Sequence, residues 1–248
     1  MIKIEFVTIY VLMVIFLATL VRSAFGFGES LVAVPLLALY IPLEVAAPLS
    51  VLLSITVAGV VVAQDWKKVH ARSAGWLIIS TLFGIPLGLM LLIYVDEWMV
   101  KAALGVIIIA FATYSLIGRQ PKVLKTDKWG WMLGCGFFAG ILGGAYGLNG
   151  PPLAIYGSMR RWSAQHFRAT LQGYFLPASI IGMGGFWLAG LWVPLVTHFY
   201  LISLPVVLPT IFLGRMMNHR IRGESFFKYI YIGLLAIGIF FLIQSVSN

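Results

Sequence analysis

Long apolar stretches recur along almost the whole chain, and they constrain its fold more than any other feature. A helix needs about 20 mainly apolar residues to cross the hydrocarbon core of a bilayer. Stretches of about this length lie near residues 4–24, 46–63, 73–94, 98–117, 129–148, 169–189, 192–213 and 226–246. Apolar residues make up 61% of the 248 residues and charged residues only 10%, whereas about 25% of the residues in a soluble domain are charged. The sequence therefore predicts an all-α polytopic membrane protein.

Two shorter apolar stretches, 30–41 and 150–159, follow the first and the fifth long segments. At a rise of about 1.5 Å per residue, each would cross only about half of the bilayer. Each also comes after a break that is rich in glycine. We therefore predict eight long helices and two short half-helices that follow the breaks.

Basic residues are concentrated in alternate connections between the apolar segments. Most of the 17 Lys and Arg residues lie in 64–72, 118–128, 160–168 and 214–225. Cytoplasmic loops carry an excess of Lys and Arg, so these four connections are predicted to be cytoplasmic, in a multi-pass protein of the cell membrane. Both termini are then extracellular or periplasmic. The orientation of the chain in the bilayer accounts for this distribution of basic residues. We therefore expect no nucleic-acid partner, although the net charge is +9.

The order of elements in the first half of the chain is repeated in the second half. In both halves a long segment, a glycine-rich break, a short segment and three long segments follow one another. The connection after the short segment is acidic at Glu44 in the first half but basic at 160–168 in the second, so the halves are predicted to be inverted. We expect two five-element repeats, 1–118 and 129–248, joined by a cytoplasmic linker at 119–128. Inverted repeats with broken helices are typical of secondary transporters.

The two breaks combine glycines with polar side chains. Non-helical backbone at membrane depth must be buried in protein or line a cavity, because its N–H and C=O groups are costly to leave unpaired. The short helix that follows such a break presents free N–H groups and partial positive charge, which favour an anion. These glycines also have an alternative role in close helix packing. The residues predicted to bind substrate at the breaks are Gly26, Gly28, Ser30, Gly147, Asn149 and Gly150.

Three further polar residues near the breaks are candidates, since charges inside a membrane are costly and mark functional sites. Arg22 is predicted to attract an anion, and Glu29 is predicted to accept a proton linked to transport. Two alternatives are a mutual ion pair between Arg22 and Glu29, and an Arg22 side chain that extends to the cytoplasmic surface. Gln172 either contacts the substrate or caps a neighbouring helix.

The sequence offers little for catalysis. It has one cysteine, Cys135, and four scattered histidines, with no HExxH motif and no glycine-lysine phosphate loop. We therefore predict no catalytic residues, no metal ligands, no cofactor and no enzymatic activity.

The two breaks and the residues after them resemble the TauE/SafE, or sulfite exporter, family of membrane transporters. The resemblance rests on Gly26–Gly28 with Val34–Leu37 in the first half, and on Gly140–Gly150 with Pro152 and Leu153 in the second. It implies a transporter of small anions, often sulfur oxyanions or organosulfonates, that holds its substrate between the broken segments. This chain has Glu29 and Ser30 where a further glycine is common in the family.

We therefore predict a secondary transporter of a small anion of the sulfite, sulfate, thiosulfate or sulfoacetate class, working by alternating access. Its expected partners are this anion and the lipid bilayer, and proton coupling and a homodimer are left open. An anion channel is the first alternative, and a membrane-embedded enzyme is the second.

Overall fold

The computed structural model covers most of the chain. It describes residues 2–65, 71–117, 124, 128–160 and 164–220, together with 232, 235, 236, 238–240, 242 and 243. Throughout this part the chain forms helices and their connections, and none of the described residues lies in a β-strand. The predicted all-α fold class is confirmed.

Nine helices are described between residues 2 and 220. They are α1 Ile2–Phe25, α2 Glu29–Leu37, α3 Leu43–Asp65, α4 Ala71–Tyr94, α5 Glu97–Ile117, α6 Trp129–Tyr146, α7 Gly150–Met159, α8 Ala164–Leu188 and α9 Pro194–Arg220. Each predicted segment up to residue 213 coincides with one of these helices. The last predicted segment, 226–246, lies largely outside the described residues, although 238–240 within it are helical.

Five of the described helices are long and apolar enough to cross a membrane, namely α1, α3, α4, α5 and α9. The chain is therefore a multi-pass membrane protein. Helices α6 and α8, with 18 and 25 residues, pack against the spanning helices α4 and α3. This packing supports the expectation that they cross the bilayer as well.

The two short helices are α2 with 9 residues and α7 with 10 residues. Helix α2 runs back along α1. A hydrogen bond shows this: the hydroxyl of Tyr10, midway along α1, donates over 2.8 Å to the carbonyl of Leu36, near the end of α2. The chain then turns again and enters α3 at Leu43. Helix α2 therefore reaches only about half-way along the helices on either side.

Glycines allow close contact between helices of the two halves. A Cβ atom on Gly84 of α4 would lie 2.9 Å from the Cα of Gly140 in α6, and one on Gly144 would lie 3.1 Å from the Cα of Gly88. Small residues let membrane helices approach this closely. In a corresponding contact, a Cβ on Gly214 of α9 would lie 3.0 Å from the backbone nitrogen of Ala24 in α1. The fourth helix of each half thus packs on the first helix of the other.

Helix α3 lies at the centre of the bundle and contributes residues to two clusters of buried apolar residues. One cluster includes residues of α1, α2 and α9, and the other includes residues of α4, α6, α7 and α8. Within α3, Leu49 and Leu53 are fully buried. Two polar residues on this helix, Ser50 and Ser54, are consequently buried among neighbouring helices.

Candidate functional site

The first break spans three residues between α1 and α2. Gly26 and Gly28 have φ angles of 88° and 98°, a left-handed region in which a side chain would be strained. The N–H of Gly26 donates a 2.6 Å hydrogen bond to the carbonyl of Arg22 and closes α1. Gly28 then precedes α2 as its N-terminal cap residue. Both glycines are needed to reverse the chain within so few residues.

The second break closes α6 in a similar way. Gly147 has a φ of 65°, and its N–H donates to the carbonyl of Gly143 over 2.9 Å. The N–H of Leu148 donates to the carbonyl of Leu142 over 3.0 Å, so N–H groups of the break satisfy two carbonyls at the end of α6. Helix α7 begins at Gly150. Each half of the chain therefore contains a short helix that starts after a left-handed glycine.

The two breaks meet in the interior. A Cβ atom on Gly150 would lie 3.7 Å from the ring of Phe27, so the second break contacts the first directly. Between them is a cavity of about 20 Å³. It is lined by Arg22, Phe27, Gly28, Glu29, Ser30, Leu31, Ser54, Gly147, Asn149, Gly150, Pro151 and Phe175. Most of the predicted site residues are thus brought together here.

Arg22 connects the first break to the central helices. Its side chain is 3% exposed, its guanidinium forms an ion pair with Glu29, and it donates a 2.7 Å hydrogen bond to the hydroxyl of Ser54. The guanidinium carbon also lies 4.8 Å from the centre of the Phe175 ring, a cation–π distance. The predicted alternative that Arg22 reaches the cytoplasmic surface is wrong, because contacts with Glu29, Ser54 and Phe175 hold its side chain inside the protein.

Gln172 and Gly26 lie beside the cavity rather than in its lining. The Nε2 group of Gln172 donates a 2.8 Å hydrogen bond to the carbonyl of Gly26, and its Oε1 accepts one of 2.9 Å from Arg22. Gln172 therefore caps the end of α1 and fixes the arginine at the same time. This is the capping role that was one of the two sequence-based alternatives.

Two polar atoms at the ion pair have no partner within the described residues. Oε1 of Glu29 and Nε of Arg22 are buried and make no hydrogen bond there. Arg22 and Glu29 are the charged residues that line the cavity, so their charges cancel when both are ionised. A change in the charge of either one would therefore change the electrostatics of the whole cavity.

Both short helices point their N-termini at this cavity. The first turn of a helix has N–H groups without intrahelical acceptors, and it carries partial positive charge. Residues 29–31 of α2 each have an N–H group, whereas Pro151 and Pro152 of α7 have none. Helix α2 therefore contributes more donors, and α7 contributes mainly Gly150 and its dipole.

Serines on two other helices complete the site, and the sequence did not single them out. The hydroxyl of Ser54 lies 3.0 Å from that of Ser179 in α8, and Ser50 donates a 2.9 Å hydrogen bond to Ser30. Ser50 and Ser54 are four residues apart, so they occupy one face of α3. This spacing was the sequence signal that could have identified the two serines as site residues. It is a weak signal, because serines in apolar helices often form hydrogen bonds only to their own backbone.

The side chain of Asn149 is held in place by a tyrosine hydroxyl outside the cavity lining. The buried hydroxyl of Tyr174 is hydrogen-bonded to the side chain of Asn149 and, over 2.7 Å, to the hydroxyl of Thr81. Helices α4 and α8 therefore both fix the second break. Among the described residues, no group of three or more His, Cys, Asp or Glu side chains is placed to hold a metal ion.

The spanning helices and the interior cavity define a multi-pass membrane protein with a buried polar cavity between two broken helices. Residues 11–241, nearly the whole chain, match the family described as Sulfite exporter TauE/SafE. The chain therefore belongs to this family of membrane anion transporters. No curated protein and no solved structure matches the chain.

Proposed function

We propose that this protein is a secondary transporter that carries a small sulfur-containing anion through the cavity between the two breaks. The observation that supports this most is the meeting of two helix N-termini and Arg22 at one buried cavity. Each of these elements favours a negative charge, and none needs a bound metal. The predicted residues Gly28, Ser30, Asn149 and Gly150 would contact the anion.

The ion pair at the cavity favours coupling to protons. An anion that approached Arg22 would be repelled by an ionised Glu29. Protonation of Glu29 would remove this repulsion and leave the guanidinium free to bind the anion, aided by the N-terminus of α2. We infer that Glu29 takes up a proton with each anion that binds.

The packing of the helices is consistent with an inverted duplication of 1–118 and 129–248. Four helices lie between α1 and α6, so if each connection reverses the chain, these two helices run in opposite directions. The exchanged contacts of α4 with α6 and of α9 with α1 follow the same pseudo-symmetry. We expect the pairs joined by glycine contacts to move as units during transport.

The cavity lies midway along two of the long helices. Ser54 is near the middle of α3, and Phe175 is near the middle of α8. A volume of about 20 Å³ has room for about one water molecule and is too small for a sulfur atom with three or four oxygens. Entry of the anion therefore requires the breaks to move apart, which favours a carrier over a continuously open channel. The basic connections would face the cytoplasm in the cell membrane.

Uptake into proteoliposomes tests this proposal. Sulfite, sulfate, thiosulfate, taurine and sulfoacetate would each be offered to the purified full chain, with and without a proton gradient. We expect saturable uptake of at least one of these anions, faster when the side that holds the anion is acidic. Flux that does not saturate, together with a current that no proton gradient changes, would identify a channel instead.

A further inference from the structure

A large apolar groove lies on the outside of the bundle between α5, α6 and α7. Its volume is about 830 Å³, far larger than the central cavity. Side chains of Phe111 and Tyr114 form one wall, and Trp131 and Phe138 form the other. Phe138 is 61% exposed and Trp131 is 50% exposed, so the groove is open to the surroundings.

Two glycines make the floor of this groove. A Cβ atom on Gly130 or on Gly134 would have no neighbouring atom within 4 Å, so these positions are open space and not packing contacts. Along α6 the groove runs from Lys128 to Leu142, which corresponds to about 21 Å at 1.5 Å per residue. One leaflet of a bilayer has a hydrocarbon thickness of about 15 Å, with its headgroups beyond. The groove therefore has the depth of a single lipid molecule in one leaflet.

The described part of the C-terminal segment leaves this groove uncovered. Gly238 packs against the other face of α5, where a Cβ on it would lie 2.7 Å from a side-chain carbon of Ile109 and 3.0 Å from the carbonyl of Gly105. The groove is lined instead by Ile107, Ala110, Phe111 and Tyr114 of α5.

Charge and aromatic residues indicate what kind of lipid would fit. Lys128 is exposed at the end of the groove where the basic linker joins α6. Trp129 and Trp131 lie at the same end, and tryptophan is enriched at the level of lipid headgroups. Basic pockets between membrane helices on the cytoplasmic side bind anionic headgroups.

We propose that this groove binds an anionic phospholipid of the cytoplasmic leaflet, with its phosphate at Lys128 and one acyl chain along Gly130 and Gly134. The inner end of the acyl chain lies against Pro151 and Pro152 in the first turn of α7. Pro151 also lines the central cavity, so only this turn separates the lipid from the site between the breaks.

Native mass spectrometry of the purified full chain tests lipid binding without any transport measurement. The protein would be titrated with phosphatidylglycerol and, separately, with phosphatidylcholine of the same acyl chains. We expect phosphatidylglycerol to bind about fivefold more tightly, the equivalent of about 1 kcal/mol for one lysine near an anionic headgroup. Lys128→Gln should abolish this preference while phosphatidylcholine still binds.

Filling the groove should remove both lipids. Gly134→Leu places a side chain in open space on the groove floor, so the protein should still fold but retain neither lipid. Gly184→Leu is the matched control, because a Cβ there also meets nothing within 4 Å and lies outside the groove. Lys101→Gln, at the opposite end of α5, is the control for charge. Equal binding of the two lipids to the wild type would overturn the proposal. Equal lipid retention by Gly134→Leu and Gly184→Leu would also overturn it, as would a groove occupied by a second copy of the chain.

Discussion

The side-chain amide of Gln172 donates a 2.8 Å hydrogen bond to the backbone carbonyl of Gly26, which is 146 positions away in the sequence. The same side chain accepts a hydrogen bond from Arg22. A residue of the second half of the chain thus caps the broken helix of the first half and fixes its buried cation. This contact ties the two halves together at the level of the proposed site.

Replacing Gln172 with alanine should destabilise the protein and weaken anion binding. The carbonyl of Gly26 and one N–H of Arg22 would both lose a buried partner, at a cost of about 1–3 kcal/mol each. Thermal unfolding of the purified protein measures this loss. Gln64→Ala is a matched control. Gln64 lies at the C-terminal end of α3, is only half-buried, and accepts a hydrogen bond from Arg215 of α9. An equal loss in both variants would argue against a special role for Gln172.

The ion pair of Arg22 and Glu29 should behave as a coupled unit. Arg22→Gln leaves the Glu29 carboxylate buried without its cation, which costs about 3–5 kcal/mol. The double variant Arg22→Gln with Glu29→Gln removes the stranded charge and should recover most of that stability. Unfolding midpoints of the wild type, both single variants and the double variant give the coupling. Additive losses would mean that the two residues do not interact in the folded protein.

A side chain at Gly147 should disturb the second break for two separate reasons. Gly147→Ala adds strain of about 1–2 kcal/mol at a positive φ, and its Cβ would also lie 3.1 Å from the carbonyl of Ala47. Gly190 isolates the first effect, since it has a φ of 74° and no atom within 4 Å of a Cβ. Gly190→Ala should therefore lose stability but keep anion binding, whereas Gly147→Ala should lose both. Identical behaviour in the two variants would contradict this.

Glu29→Gln should remove the pH dependence of transport. If Glu29 takes up the proton that accompanies the anion, wild-type uptake rises as the pH on the substrate side falls. Glutamine keeps the shape and a hydrogen-bond acceptor for Arg22 but cannot titrate. Its uptake rate should be flat across the same pH series in proteoliposomes. An unchanged pH profile in this variant would assign the proton to another group.

The positions of the helices and the breaks could be predicted because their signals are local. Apolar stretches mark the helices, and Gly28 and Gly147 mark left-handed turns that other residues adopt only with strain. The spacing of seven residues between Arg22 and Glu29 likewise suggested that they could pair. In each case the residues that carry the signal are neighbours in the chain.

The rest of the site depends on contacts between distant segments, which one sequence does not reveal. Ser54 and Ser179 lie in different halves, and a single serine in an apolar helix does not indicate its partner. The choice between capping and ligand binding for Gln172 likewise required the position of Gly26. The role of these residues in anion binding and the inverted orientation of the halves remain predictions.

Anion binding by the purified protein tests most directly whether the solute sits between the two breaks. A ligand that binds the folded state raises its thermal stability, by about 2.7 kcal/mol at a hundredfold excess over Kd. The measurement is the shift in Tm with the best anion of the uptake series for the wild type, Ser30→Ala, Asn149→Ala and, as a control on α9, Ser203→Ala. We predict a shift in the wild type and in Ser203→Ala that is reduced or lost in the other two variants. Full shifts in both Ser30→Ala and Asn149→Ala would show that the anion binds elsewhere.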